Sequence, residues 1–446
     1  MEIAFTGIAP HPPLLIPEVG GKELKKVAVT ANALRELGYR VLQSGAELLI
    51  VISPHGQAYR DSVAVTEKGS LKGDFSAFNA GDVKMSFDVD EELAALLKEE
   101  LQQTDIPASF LSCDGSAGVR LDHGAGVPLY YLQKQGVELP GLHITPGFLS
   151  YDELFTFGRA LRRAVMSRGK KVALIASGDL SHRLIPGAPA GYDPRGKEFD
   201  DTLVELLSQY QVPHILNMDP ELVEAAGECG LGSFTIMLGY LHGLKVTPEI
   251  MSYEAPFGVG YLVASFKAET GLEGLREIIP SIARNSIVNR LEKRKEILPV
   301  EEITPELEEL KGGAFVTLKK NGQLRGCIGT IEGVHENLAQ EITANAINAA
   351  FDDPRFPPLQ KKELVEVEVS VDILSPLEPV KSLEELDPKK YGIFISNKKR
   401  SGLLLPNLEG VNSVEEQLAI TLEKAGIRPR EKYDIYRFTV TRFGEK

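Results

Sequence analysis

Residues 47–56 read ELLIVISPHG and residues 171–182 read KVALIASGDLSH. Each opens on a continuous apolar run, the pattern of a strand buried on both faces of a sheet. Each run then breaks and delivers a histidine just past its end. Working outward, EIAFTGIA (2–9) repeats the theme: a β-type run ended by Pro10, Pro12 and Pro13, with His11 among the prolines. LHIT (142–145) adds a further buried strand, and GVGYLVASF (258–266) is expected to close the sheet. Between these runs the apolar spacing is helical. Leu24, Val27, Ala28, Ala31, Leu34 and Leu37 share one face of a helix predicted over 22–37, which Gly38 is expected to stop. Further helices are predicted near 90–102, 151–167, 197–209 and 219–226. The alternation predicts an α/β fold with a mostly parallel sheet flanked by helices.

From Lys267 to Gly274 the chain turns polar (KAETGLEG), and this stretch is expected to separate a first domain, 1–267, from a second, 268–446. Beyond it the pattern changes. VEVEVSVDIL (365–374) alternates apolar and charged residues, as a strand with one wet face does. A helix over 337–350 presents Leu338, Ile342, Ala346 and Ala350. Another starts at the capping box Ser413-x-x-Glu416 and ends at Gly426. The second domain therefore reads as a separate α+β unit.

Composition limits what the protein does. The 446 residues are 43% hydrophobic and 25% charged, ordinary for a globular chain of two or three domains at roughly 150 residues each. The formal charge of −14 is the wrong sign for a general binder of nucleic-acid backbones. No apolar run is long enough to span a membrane, and MEIAFTGIAPHPP lacks the basic start of a signal peptide. The three cysteines, Cys113, Cys229 and Cys327, lie far apart with no CxxC pair, which points to a reducing cytoplasm rather than a disulfide framework. A cytoplasmic protein acting on a small molecule or another protein is expected.

Seven of the eight histidines precede residue 243. His11, His55 and His182 each follow a buried strand, where open α/β sheets bind their ligands. Neighbouring strands lie about 5 Å apart, so side chains at their ends can converge on one ion. Two neutral imidazoles with one anionic ligand leave positions open on a metal, an arrangement suited to non-haem Fe(II) and dioxygen. For the anionic ligand, AAGECGLGSFTIMLGYL (225–241) offers Glu228 and Cys229 before a helix, and Glu254 is a third candidate. The alternatives are a helix-start carboxylate and a small buried thiol. His123, in DHGAGVPL, either contacts a substrate oxygen, orients a ligand, or simply packs. Asp179 reads as a turn former that also positions the His182 loop. His143, His214 and His242 share no context and receive no role.

Taken together, HPPLLIP, SPHG, DHGAGVPL and GDLSH resemble the class III extradiol ring-cleavage dioxygenases of the LigB type over about residues 1–267. That resemblance implies Fe(II) held by His11, His55 and a glutamate, a catechol-like aromatic substrate with O2, and His182 as acid/base. The ECG segment is similar to the CG motif of the Memo family, a relative in which cysteine replaces the glutamate. It implies Cys229 as third ligand, with copper or zinc as well as iron within its range and ring cleavage in question; Glu228 stands one residue away. LRGCIGTI (324–331), DPRFPPL (353–359), SGLLLP (401–406) and VEEQLAITLEKAGI (414–427) resemble the AMMECR domain. Within it, Cys327 stands between Gly326 and Ile328 beside the permanent cation Arg325, which suits either a reactive thiol or a tight turn with a small buried cysteine. Asp352, Asp353 and Arg355 form a turn that a partner or substrate can contact. The fusion resembles the AmmeMemoRadiSam proteins, whose relatives occur with a Memo-like protein and a radical SAM enzyme. It implies those partners, and class III relatives imply a homo-oligomer.

Overall fold

A computed structural model describes residues 3–113, 119–294, 298, 303–397, 399–408 and 410–444. Glu2, the first residue of the strand expected over 2–9, lies outside them. The chain divides into two compact units, Met1–Gly274 and Leu275–Lys446.

The first unit is built on β1 (Ile3–Ala9), β2 (Leu48–Ile52), β3 (Val63–Lys68), β6 (Ala108–Ser112), β7 (Gly141–Thr145), β8 (Val172–Ser177), β9 (Lys245–Glu254) and β10 (Tyr261–Glu269), with β4 (Ser70–Phe75) and β5 (Ala80–Asp88) as a separate hairpin. Sheet order is β6-β3-β7-β2-β8-β1-β10-β9. The central four strands, β7-β2-β8-β1, are parallel. The flanks turn the sheet into a mixed one, because β3 meets β7, and β10 meets both β1 and β9, antiparallel. Alternate residues of β2 serve opposite cores: Leu48, Ile50 and Ile52 face one, Leu49 and Val51 the other. This is why its sequence is apolar throughout.

The helices are α1 (Ala28–Gln43), α2 (Glu91–Leu101), α3 (His123–Lys134), α4 (Tyr151–Arg168), α5 (Arg195–Ser208), α6 (Pro220–Ala226) and α7 (Leu231–Tyr240). α1 and α3 cover one face together with the hairpin; α2, α4, α5 and α7 cover the other. Gly38 does not stop α1. It lies inside the helix, where a Cβ would come within 2.9 Å of Gln135 Cγ and 3.1 Å of the Tyr131 carbonyl, so it permits the approach of α3. β10 begins at Tyr261, not 258, and runs on to Glu269, inside the sheet rather than at its edge.

In the second unit, β11 (Ala314–Lys320), β12 (Gln323–Gly329), β13 (Val367–Leu374) and β18 (Val440–Gly444) form one antiparallel sheet, ordered β12-β11-β13-β18. α8 (Ile278–Leu291) and α9 (Leu338–Ile347) pack on it, against β13 and β11 respectively. A second sheet, β14 (Glu378–Pro379), β17 (Asp434–Phe438), β15 (Gly392–Ser396) and β16 (Ser401–Leu404), packs under α10 (Val414–Ala425). α9 stops short of the predicted residue 350, where the backbone widens into a π-helical turn over Asn348–Asp352.

α4 and α7 touch through two glycines. A Cβ on Gly158 would lie 2.1 Å from the Ile236 carbonyl oxygen, and one on Gly239 2.1 Å from that of Phe155. Backbone cannot yield as a side chain does. Gly158→Ala and Gly239→Ala are each expected to destabilise the first unit by about 2–3 kcal/mol, read as a lowered urea midpoint at constant slope. An unchanged midpoint in both would overturn this account of the helix contact.

Candidate metal centre

The parallel centre of the sheet sets the site. β1 and β2 both pair with β8, Ala9 opposite Ser177 and Ile52 opposite Ala176, so the three strands end side by side. His11 and His55 therefore meet, with ring centroids 4.7 Å apart and nearly perpendicular. His123, the first residue of α3, stacks on His55 at 4.6 Å and lies 5.6 Å from His11. Cys229 enters from the turn before α7, and its Sγ is 3.6 Å from His11 Nε2 and 4.0 Å from His182 Nε2. One ligand atom each from His11, His55 and Cys229 fall within 4.8 Å of one another. The turn reaches the strand ends because Gly178 and Gly230 cross closely: a Cβ on Gly178 would lie 2.2 Å from Gly230 Cα.

Hydrogen bonds decide which nitrogens face inward. Ser177 Oγ donates to the Gly124 carbonyl at 2.5 Å, so its single proton is committed. The 2.9 Å contact between His11 Nδ1 and Ser177 Oγ must then be donated by Nδ1–H, which leaves Nε2 with a lone pair toward Cys229. By the same reasoning His182 donates Nδ1–H to the Gly227 carbonyl at 2.5 Å and turns Nε2 to the cluster.

Two aspartates support these rings, Asp179 buried and Asp122 partly so. Asp179 accepts the His11 backbone N–H at 2.9 Å, and its Oδ2 lies 3.9 Å from the Nε2 of both His11 and His182. Burial resists its charge, but His11 and His182 outweigh that and hold its carboxyl below the usual range. Asp122 caps α3 through the Ala125 N–H, accepts Ser53 Oγ–H at 2.5 Å and pairs with His143 Nε2 at 2.9 Å. Those bonds also overcome burial and keep it ionised. Ser53 in turn accepts the His55 N–H at 3.3 Å.

Burial, with the other two histidines nearby, lowers His55 to about 4 and lowers His123 as well, so both rings are neutral at pH 7. His182 is raised: burial opposes its charge, and Asp179 and the Gly227 carbonyl prevail. Burial and then Asp179 push the Cys229 thiol well above its ordinary value. The donor set, two lone-pair imidazoles and a thiol, fits a divalent cation, which would add positive charge among these atoms.

The other acidic candidates point elsewhere. Glu228 is partly buried and directs Oε2 to the Leu231 N–H at the start of α7, 2.7 Å away; desolvation raises it to about 7. Glu254 accepts the Thr30 N–H and Oγ1–H at 2.7 and 2.6 Å, in the first turn of α1. Both satisfy helix N-termini, which have orphan donors to offer a carboxylate. In the second unit, the Arg325 guanidinium is taken by Glu363 in a bidentate pair at 3.1 Å, so it does not serve the Cys327 thiol; Arg355 and Asp353 bond to the Cys327 peptide instead.

Sequence reasoning gave His143 no role. Its signal was present all the same: an imidazole in the middle of a fully buried strand needs a polar partner. Asp122→Ala removes a helix cap and leaves His143 and Ser53 without their acceptor. A loss of about 2–4 kcal/mol is expected from those two effects. Denaturation at the wild-type midpoint would show that this pair carries no such load.

Comparison with known proteins identifies the families of both units. The family model for the catalytic LigB subunit of aromatic ring-opening dioxygenase matches residues 6–264, and that for AMMECR1 matches 280–443. A protein of Clostridium acetobutylicum is 40% identical over 461 aligned residues, covering 98% of both chains. One from Thermotoga maritima is 54% identical over 159 residues, 35% of this chain and 91% of its own. Among solved structures, an uncharacterised Escherichia coli K12 protein aligns at TM-score 0.42 with 17% identity, over 59% of this chain and 98% of its own. The chain belongs to the family of the catalytic LigB subunit of aromatic ring-opening dioxygenases, with an AMMECR1 domain following it.

Proposed function

We propose that the first unit is a metal-dependent oxidoreductase of the extradiol type, in which His11, His55 and Cys229 hold one Fe(II) and a catechol-like aromatic is the substrate. The observation that carries this reading is the convergence of three donor atoms within 4.8 Å at the strand ends, with two further histidines beside them. Bound there, Fe(II) supplies the redox and Lewis-acid chemistry that joins dioxygen to a diol.

The chain's own groups divide the remaining work. His182 keeps Nδ1–H on the Gly227 carbonyl, so Nε2 is the atom that takes a proton from a substrate hydroxyl. Asp179, 3.9 Å away, stabilises the resulting imidazolium. His123 is neutral and stacked on His55, placed to hydrogen-bond a substrate oxygen without adding charge. Phe78 packs against His123 with centroids 5.5 Å apart and adds an apolar wall.

Cys229 favours a second reading. A thiolate is a softer donor than the glutamate expected of the family, and it suits zinc or copper. On that reading the unit binds metal on the dioxygenase fold without cleaving rings, working beside a radical SAM enzyme and a Memo-like protein.

Metal analysis after anaerobic purification, with O2 uptake on catechols, separates the two. About one iron per chain is expected, lost in His11→Ala, His55→Ala and Cys229→Ala and kept in Glu228→Ala. His182→Ala is expected to keep its iron while turnover falls by about 10²–10⁴. Full iron retention in the first three variants would sink the ligand set. Bound zinc or copper with no catechol-dependent O2 uptake favours the second reading.

A further inference from the structure

The second unit holds a cluster that this reading does not use. Cys327 stands on β12 opposite Thr317 of β11, whose hydroxyl is 3.3 Å from the sulfur. The cysteine is partly exposed. Arg355 is bonded to its carbonyl and Arg442 stands on the same face of the sheet, each arginine held by a buried aspartate. Arg355 donates Nε–H and Nη2–H to Asp353 at 2.9 and 2.7 Å. The same Nη2 bonds the Cys327 carbonyl at 2.9 Å, and Asp353 accepts the Cys327 N–H at 2.9 Å. That guanidinium is therefore tied to the cysteine's own peptide groups. Arg442, on β18, donates Nε–H and Nη2–H to Asp372 at 2.6 and 2.7 Å.

Register puts Asp372 and Arg442 on the face of Cys327. Thr317 pairs with both Cys327 and Ser370, and Phe315 pairs with Asp372, which pairs with Arg442. Both guanidinium pKa values are raised, first of all by the hydrogen-bonded aspartate. Asp353 and Asp372 are 2% and 3% exposed at the side chain, whereas Arg355 and Arg442 are 53% and 60% exposed. A molecule arriving from solvent thus meets two cations first, with the carboxylates behind them. Each aspartate takes the Nε and Nη2 edge of its arginine, which leaves the Nη1 edge for another acceptor.

We propose that Cys327, Arg355 and Arg442 form an anion-guided thiol site, where a small electrophile bearing a carboxylate or similar oxyanion is held by the arginines and captured by Cys327. The step is a displacement. The sulfur supplies the electron pair of the new C–S bond, the leaving group departs with the pair of the bond it breaks, and the thiol proton passes to solvent. Thr317 Oγ–H is placed to donate to the sulfur as charge gathers on it.

Alkylation of the full-length protein tests this, using iodoacetate and iodoacetamide, which differ in charge but share one reaction. Peptide mapping separates Cys327 from Cys113 and Cys229, and glutathione serves as the unguided thiol. The iodoacetate-to-iodoacetamide rate ratio at Cys327 is expected about tenfold above that of glutathione, since each cation contributes severalfold at short range. Arg355→Gln and Arg442→Gln are each expected to lower it about threefold, and salt near roughly 0.5 M to lower the wild-type ratio similarly. A ratio equal to that of glutathione, insensitive to salt and to Arg442→Gln, overturns the proposal. Salt and Arg442→Gln decide the matter even where Arg355→Gln disturbs its turn.

Discussion

Asp179 is a carboxylate with almost no access to water, and the first unit is arranged around the need to satisfy it. An ionised carboxyl in such a place is costly unless hydrogen-bonded and paired. Here the support comes from other segments: the His11 backbone N–H donates from the loop after β1, and the imidazoles of His11 and His182 lie 3.9 Å from the carboxylate. Each loop is drawn to the same point and loses its freedom there. Asp122 repeats the arrangement one strand away, tying α3, β2 and β7 together through Ala125, Ser53 and His143. The two aspartates convert flexible strand-end loops into a fixed frame, and His11, His55 and His123 are held inside it.

The choice between adjacent Glu228 and Cys229 shows how a helix start sorts side chains. α7 opens with unsatisfied N–H groups, and Glu228 has the reach to bond one of them. Cys229 is shorter and lies on the other side of the turn, where Asp179 N–H approaches its sulfur at 3.4 Å and His11 at 3.6 Å. The soft donor goes to the histidines and the hard one to the helix. The same competition removed Glu254, which the first turn of α1 engages through Thr30.

His11, His55 and His182 were legible because a strand buried on both faces announces itself as an apolar run, and its end is then fixed to within a residue or two. Cys229 was one of three candidates at the residue level, and only the likeness of its ECG segment to a known motif favoured it over Glu228 and Glu254. His143 and Asp179 were less so, since their roles depend on which strands are neighbours, and strand order is not written in any local pattern. Segments 70–75 and 80–88 hid their strands for another reason. β4 and β5 form a two-stranded hairpin with one wet face, so few apolar residues mark them. Gly38 and Arg325 misled by proximity in sequence: the glycine serves a neighbouring helix, and the arginine serves Glu363 rather than the cysteine two residues on.

β1 occupies the interior of the sheet, between β8 and β10, although it is made first. His11 waits for a carboxylate 168 residues later and a thiol 218 residues later. At a synthesis rate of about 5–20 residues per second, that is a delay of roughly 10–45 s. During it the nascent chain exposes unpaired strand edges and two histidines with no third donor. The cluster is thus assembled late on the ribosome, after most of the first unit has emerged, and a chain stalled before Cys229 carries only two of its three donors.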